Sequence, residues 1–322
     1  MASRGDTPLK PESIEEWQAR GLPPFARELL GPIVHYPESA WGLWRCGFLH
    51  TLVLNSGYAE APDCIPPSFV DQLLAHPTAA LLECLEFPVA SRAHWQADLD
   101  SIVHQGPLRA VRDLRVGPAT GGAAIPHAVV GNLARVWSQL PHLEQVSICG
   151  REGQLGRVVA PRLRTLRCVV EPDVKGLAKL TPKACPQLRS VVLEAQRLAS
   201  DDDDEFYRIW WRGMPRRWAF EVLPALGGLS LTSLALRGTA DTAALLRALA
   251  ATPLTQTLTF LDLSEGDLEQ PPEVLDVLAA FPALQQLVLN HQPIAQQAPA
   301  LTAALPKVTI EAEVAPGWVA EE

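Results

Sequence analysis

Aromatic residues are scarce in this chain of 322 residues, at 6%, and basic residues are outnumbered: 27 Lys and Arg stand against 36 Asp and Glu, for a formal net charge of −9. Indiscriminate nucleic-acid binding needs a basic surface, so nucleic acid is disfavoured as a partner. No stretch approaches the roughly 18–20 apolar residues of a membrane helix. The opening MASRGDTPLKPESIEEW is polar and lacks the apolar core of a signal peptide. The expectation is a soluble, cytoplasmic protein. The six cysteines (Cys46, Cys64, Cys84, Cys149, Cys168 and Cys185) are scattered without a C-x-x-C pair, which predicts reduced thiols and neither a disulfide framework nor a zinc site. G-x-S-x-G, G-x-x-x-x-G-K-[ST] and H-E-x-x-H are all missing. His94 and Asp98, four apart on a predicted helix, lack a nucleophile or third ligand, and GREGQLG at 150–156 has the spacing of a turn. No catalytic residue, metal or cofactor is expected, and the chain is read as a non-enzyme.

What is present is a globular composition, 48% hydrophobic and 20% charged, and a repeat. Apolar residues recur at i, i+3 and i+5, from Leu49-Leu52-Leu54 and Leu82-Leu85-Phe87 through Leu284-Leu287-Leu289 to a weaker Leu305-Val308-Ile310. The middle residues fall at 52, 85, 114, 146, 166, 191, 234, 261, 287 and 308, at spacings of 20 to 33 except for one of 43. Several units open with Pro, as in PHLEQVSI, PRLRTLRC, PQLRSVVL and PALQQLVL. The last two apolar positions of each triplet lie two apart and share a face, as in a short strand. Helical patterns lie between them: PPSFVDQLLAHP, RAHWQADLDSIVHQG, IPHAVVGNLARVWSQLP, DTAALLRALAATP and PPEVLDVLAAFP. A single strand–helix unit cannot bury its apolar face, but a stack of them can.

The recurring LxxLxL core resembles the leucine-rich-repeat family. The resemblance implies an α/β solenoid over residues 48–313, with a curved parallel sheet on the concave side, helices on the convex side and about ten irregular repeats. Unit length and helical connections are similar to the ribonuclease-inhibitor type. The lead-in AWGLWRCGFLHTLVL resembles divergent bacterial repeat proteins of the kind seen in myxobacteria. The Asn that such repeats carry three residues after the last Leu is replaced here, for example by Gly57, Ala90, Arg151, Glu171 and Thr239. Residues 1–47 read as a helical cap, with a capping box at Ser13…Glu16, a second turn over FARELL, and Trp41, Trp44 and Phe48 packing under the first strand. Residues 314–322 read as a tail.

Two regions are candidate binding sites. Outward strand positions place Arg112, Arg115, Arg164, Arg167 and Arg189 on neighbouring strands, a basic patch edged by Glu83, Glu86 and Glu144. Such a patch suits an acidic protein segment or a phosphate-bearing ligand, since Arg pairs bidentately with both; the plain alternative is a solvated face. Cys84 reads as an outward surface thiol. The second region, DDDDEFYRIWWRGMPRRW at 201–218, lies in the enlarged unit spanning 197–224. It predicts a helix from about Glu205 to Arg212 with Phe206, Ile209 and Trp210 as its buried stripe, after which Trp218, Phe220 and Val222 lead back to the sheet. Its aspartates lack the ligand spacing of a calcium loop. It is either a structural enlargement or an exposed element that offers Trp210, Trp211, Arg212 and Trp218 to a partner. The expected function is a non-catalytic protein-interaction module or scaffold. The alternative is a ligand sensor or enzyme-regulatory subunit that recognises an acidic or phosphate-bearing ligand.

Overall fold

The computed structural model describes residues 40–45, 48–54, 67–87, 94–117, 130–150, 153–170, 173–195, 218–239, 241–266, 268, 271–290 and 298–312. Within them eleven strands form one sheet in simple chain order, β1 to β11. β1 (Ala40–Arg45) pairs antiparallel with β2 (Phe48–Leu54). All the remaining pairings, through β3 (Cys84–Phe87), β4 (Asp113–Val116), β5 (Gln145–Gly150), β6 (Thr165–Val170), β7 (Ser190–Glu194), β8 (Ser233–Arg237), β9 (Phe260–Asp262), β10 (Gln286–Val288) and β11 (Thr309–Glu311), are parallel. Residues 40–45, at the end of the segment expected to form the cap, are an edge strand that pairs along β2 from Ala40↔Leu54 to Arg45↔Phe48. The capping helices expected at 13–30 and the tail at 314–322 lie outside the described residues.

The register follows the repeat. Leu52, Leu85, Leu114, Val146, Leu166, Val191, Leu234, Leu261 and Leu287 sit side by side on successive strands. Each is at most 1% exposed. The tenth unit departs from its expected alignment. Ile310, not Val308, pairs with Leu287, because the Val308 N–H closes a turn on the Leu305 carbonyl at 3.0 Å and so stands before the strand.

Strands β4 to β10 are entered through the same bend. The Glu83 carbonyl accepts from the N–H groups of both Arg112 and Asp113, at 2.8 and 3.0 Å. The Arg112, Glu144, Arg164, Arg189, Thr232 and Thr259 carbonyls each accept two successive N–H groups of the next unit in the same way. A carbonyl oxygen has two lone pairs, so one acceptor satisfies two donors and fixes the turn.

The other face of the sheet is covered by helices: α1 (Pro67–Ala75), α2 (His94–Gln105), α3 (Val174–Leu177), α4 (Trp218–Gly227), α5 (Thr242–Ala250), α6 (Pro271–Leu278) and α7 (Ala298–Ala304). Val70, Leu73 and Leu74 of α1, and Leu245, Leu246 and Leu249 of α5, point into the core at helical spacing. The helix expected over IPHAVVGNLARVWSQLP is not seen across its described part, 130–141. There a 3₁₀ turn spans Trp137–Gln139, and Asn132 bridges to Gln154. Side-chain bonds hold this segment in place of helical ones: Trp137 donates from Nε1 to the Leu155 carbonyl at 2.7 Å, and Asp173 accepts from the Leu155 N–H at 2.7 Å.

In the enlarged unit, α4 begins at Trp218 and buries Trp218, Ala219, Val222, Leu223 and Leu226. Trp218, Phe220 and Val222 therefore belong to a helix and not to a lead-in to the sheet. Their neighbours recur at helical spacing, and the apolar side of that helix closes the core.

Candidate functional site

The open face of the sheet displays three rows, each contributing one residue per strand. A rim row runs from His50 in β2 through the residues just before the later strands, Glu83, Arg112, Glu144, Arg164, Arg189, Thr232, Thr259 and Gln285. A second row lies in register as Thr51, Cys84, Asp113, Gln145, Thr165, Ser190, Ser233, Phe260 and Gln286. The third holds Val53, Glu86, Arg115, Ser147, Arg167, Val192, Ala235, Asp262 and Val288. Arg112, Arg164 and Arg189 thus stand in the rim row, and Arg115 and Arg167 in the third.

The arginines differ in what they touch. Arg112 meets Glu144 at 2.8 Å, and Arg164 reaches the other oxygen of the same carboxylate at 3.8 Å. Arg115 clamps Asp113 through Nε and NH2, at 3.0 and 2.7 Å, and touches Glu86 at 3.4 Å. Hydrogen bonding to Asp113 holds the Arg115 guanidinium above its ordinary pKa. Arg189 donates to the carbonyls of its own turn, Pro186 and Leu188. Arg167 has no carboxylate partner among the described residues. Among the described residues, acids interleave the basic patch on β3–β5 and leave it open on β6–β7.

A second polar group on this face was missed from sequence. Arg237 on β8 donates to Asp262 through Nε at 2.7 Å and to Glu194 through NH1 at 3.1 Å. Asp262 is 1% exposed and turns its other oxygen to the Ser264 N–H and hydroxyl, at 2.9 and 2.6 Å. Burial lowers the Arg237 pKa, but Asp262 and Glu194 outweigh it and hold the guanidinium above its ordinary value. A buried carboxylate needs such a partner, and the three side chains tie β7, β8 and β9 together. Opposite charges on adjacent units were a signal visible in the sequence.

The four described thiols are not poised for chemistry. Cys84, expected to be a surface thiol, is buried, because its side chain packs beside Asp113 and Arg115 on the crowded face. Burial, with Asp113 and Glu86 adding to it and Arg115 opposing, pushes its pKa up to about 12. Burial likewise raises Cys168 to about 12 and Cys149 to about 11. A reactive thiol needs the opposite shift. Among the described residues no group of three or more His, Cys, Asp and Glu could hold a metal ion, and no helix there is long and apolar enough to cross a membrane.

Trp218 is 1% exposed, so it leaves the set of partner-binding candidates: it fills the core beneath α4 and offers nothing to a ligand. Trp210, Trp211, Arg212 and the helix expected from about Glu205 to Arg212 lie outside the described residues.

No protein-family model matches the chain, and no curated protein matches it. Among solved structures, a Bacteroides fragilis protein determined by structural genomics superposes with a TM-score of 0.54 at 15% identity, covering 77% of this chain and 69% of its own. A leucine-rich-repeat protein from Leptospira interrogans is matched at 16% identity over 76% of this chain and 62% of its own, with a TM-score of 0.28. With LxxLxL strands stacked in parallel register and helices on the opposite face, the chain has the fold of a leucine-rich-repeat solenoid of the α/β class.

Proposed function

We propose that the chain is a non-catalytic protein-interaction module that engages a partner carrying an acidic segment through the open face of its sheet. The observation that supports this most is the arginine distribution: on a protein of net charge −9, Arg164, Arg167 and Arg189 gather on two adjacent strands with little carboxylate among the described residues to neutralise them. Arginine suits protein interfaces because its planar fork pairs bidentately with carboxylates and sheds water more readily than an ammonium does.

The test is an affinity purification from the native host with quantitative proteomics. It compares the wild type, an open-face variant carrying Arg115→Glu, Arg164→Glu and Arg167→Glu, and a helical-face control carrying Lys175→Glu and Lys179→Glu. Partners should vanish from the open-face variant and persist with the control. Partners retained equally by all three would overturn the reading.

A further inference from the structure

We infer that the ligand is an extended peptide lying across β6 to β9, its carboxylate held on β6–β7 and an apolar side chain set against Phe260 on β9. The inference rests on the open face being a protein-binding surface, and it specifies what that surface selects.

Charge sets one end. Along the rim row, anion and cation alternate from Glu83 through Arg112 and Glu144 to Arg164, with Glu144 shared by Arg112 and Arg164. The alternation then fails. Arg164 is followed by a second cation, Arg189, and Arg167 stands between them in the third row, so three guanidiniums face a share of one carboxylate. Ser147 lies in register with Arg167, and Thr165 with Ser190, adding hydroxyl donors around the cations. A carboxylate arriving here gains charge-assisted bonds that none of the described residues supplies in full.

The other end follows from what the neighbouring strands present. On β7 and β8 the second-row side chains are small, Ser190 and Ser233; in the third row Val192 is half-buried and Ala235 buried, and beyond them stand the paired Glu194 and Arg237. On β9 the second row rises to Phe260, which is half-buried and carries the ring on the far side of that low floor. Beyond β7 the rim loses its charge and becomes Thr232, Thr259 and Gln285. Glu194 and Asp262, the described acids on β7 and β9, are already bound by Arg237 and so do not repel an acidic ligand in full. The face therefore grades from basic to small to aromatic. Neither nucleic acid nor a polyphosphate fits that gradient, since the first needs a series of stacking rings and the second no apolar end.

Geometry gives the spacing. These strands are internal and their backbone groups are spent on the ladder, so the peptide binds by side chains and does not add as an edge strand. Three strand steps of about 4.8 Å separate β6 from β9, roughly 14 Å, which an extended chain covers in about four residues. The ligand class is an acidic residue with an apolar residue about four positions away.

The experiment pans a random dodecapeptide display library against the full chain. Recovered peptides are measured by fluorescence anisotropy on the wild type, Arg167→Glu, Arg167→Gln, Phe260→Gln and the helical-face control Lys175→Glu. Gln is what β10 carries in the Phe260 row, and Arg167→Gln removes the charge without reversing it, so one arm survives if a variant misfolds. Expected are peptides with Asp or Glu three to five positions from Leu, Ile, Phe or Trp. Their affinity should fall at least tenfold in both Arg167 variants, several-fold in Phe260→Gln, and not at all in the control. Peptides that respond to the open-face substitutions but lack this pairing would overturn the inference and leave the binding-surface reading standing. Peptides insensitive to every open-face substitution, or no peptides at all, would overturn both.

Discussion

Burial makes the four described thiols chemically quiet, and this has a measurable sign. With a pKa of about 12, Cys84 and Cys168 keep only about one molecule in ten thousand as thiolate at pH 8. Iodoacetamide at pH 8 should therefore leave Cys84, Cys149, Cys168 and Cys185 unmodified by peptide mapping until guanidinium is added; prompt alkylation of Cys84 in the native protein would contradict its packing. The folded thiols hold their protons above the ordinary 9.0. Their stabilising contribution is complete below about pH 9 and is lost between pH 9 and 12, as the unfolded chain releases protons that the folded chain keeps. A Cys168→Ala variant should show a shallower fall in urea midpoint over that range. Arg237 makes the second case at this scale. Its removal in Arg237→Met strands Asp262 without its cation, at a cost of about 3 kcal/mol. The triple change Arg237→Met, Asp262→Asn, Glu194→Gln should cost less than Arg237→Met alone when both are measured by urea unfolding. A triple variant that is additively worse would show that the three side chains are not one unit.

Elements are shaped by turns as much as by strands. Gly117 follows β4 at φ +96°, and a Cβ there would lie 1.8 Å from the Cys149 carbonyl oxygen; at Gly106 φ is +80° but nothing lies within 4 Å. Gly106→Ala should cost only backbone strain, about 1 kcal/mol. Gly117→Ala must also push β5 aside and should cost well over 2 kcal/mol, a difference visible in thermal unfolding; equal losses would mean that β4 and β5 part easily. The strands were legible in sequence because LxxLxL forces a shared register. The connection at 130–141 was not, since Ala134, Val136, Trp137 and Leu140 fit a helical spacing and yet satisfy their surroundings through the Trp137–Leu155 and Asp173–Leu155 bonds, whose partners lie 18 residues off. The carboxylates expected at the edge of the patch pair with Arg112 and Arg115 within it, a contact that local pattern alone does not give. Glu144 and Glu86 are some thirty residues away and become neighbours only once the units are stacked. Trp218 shows the opposite error: aromatics beside arginines in a long insertion look like a binding surface, and the local pattern does not say which of them turns inward.

At the scale of the whole molecule, stability is a chain of nearest-neighbour contacts, since each unit packs only against the next. Leu166, fully buried in the middle of the ladder, has units on both sides, whereas Ile310 on the last described strand is only partly buried. Leu166→Ala should cost about 3 kcal/mol and Ile310→Ala less than 1 kcal/mol, compared by chemical denaturation. Hydrogen exchange should likewise be slowest around β4–β8 and fastest at β11. The shared-carbonyl bend also bears on how such a molecule can change. Because one acceptor locks each unit to its neighbour by the same rule, each repeat delivers its outward side chains at a set place beside the last, like type in a composing stick. Substituting those side chains, or adding a whole unit, rewrites what the surface spells without disturbing the line it is set on. A new specificity can thus arise one strand at a time.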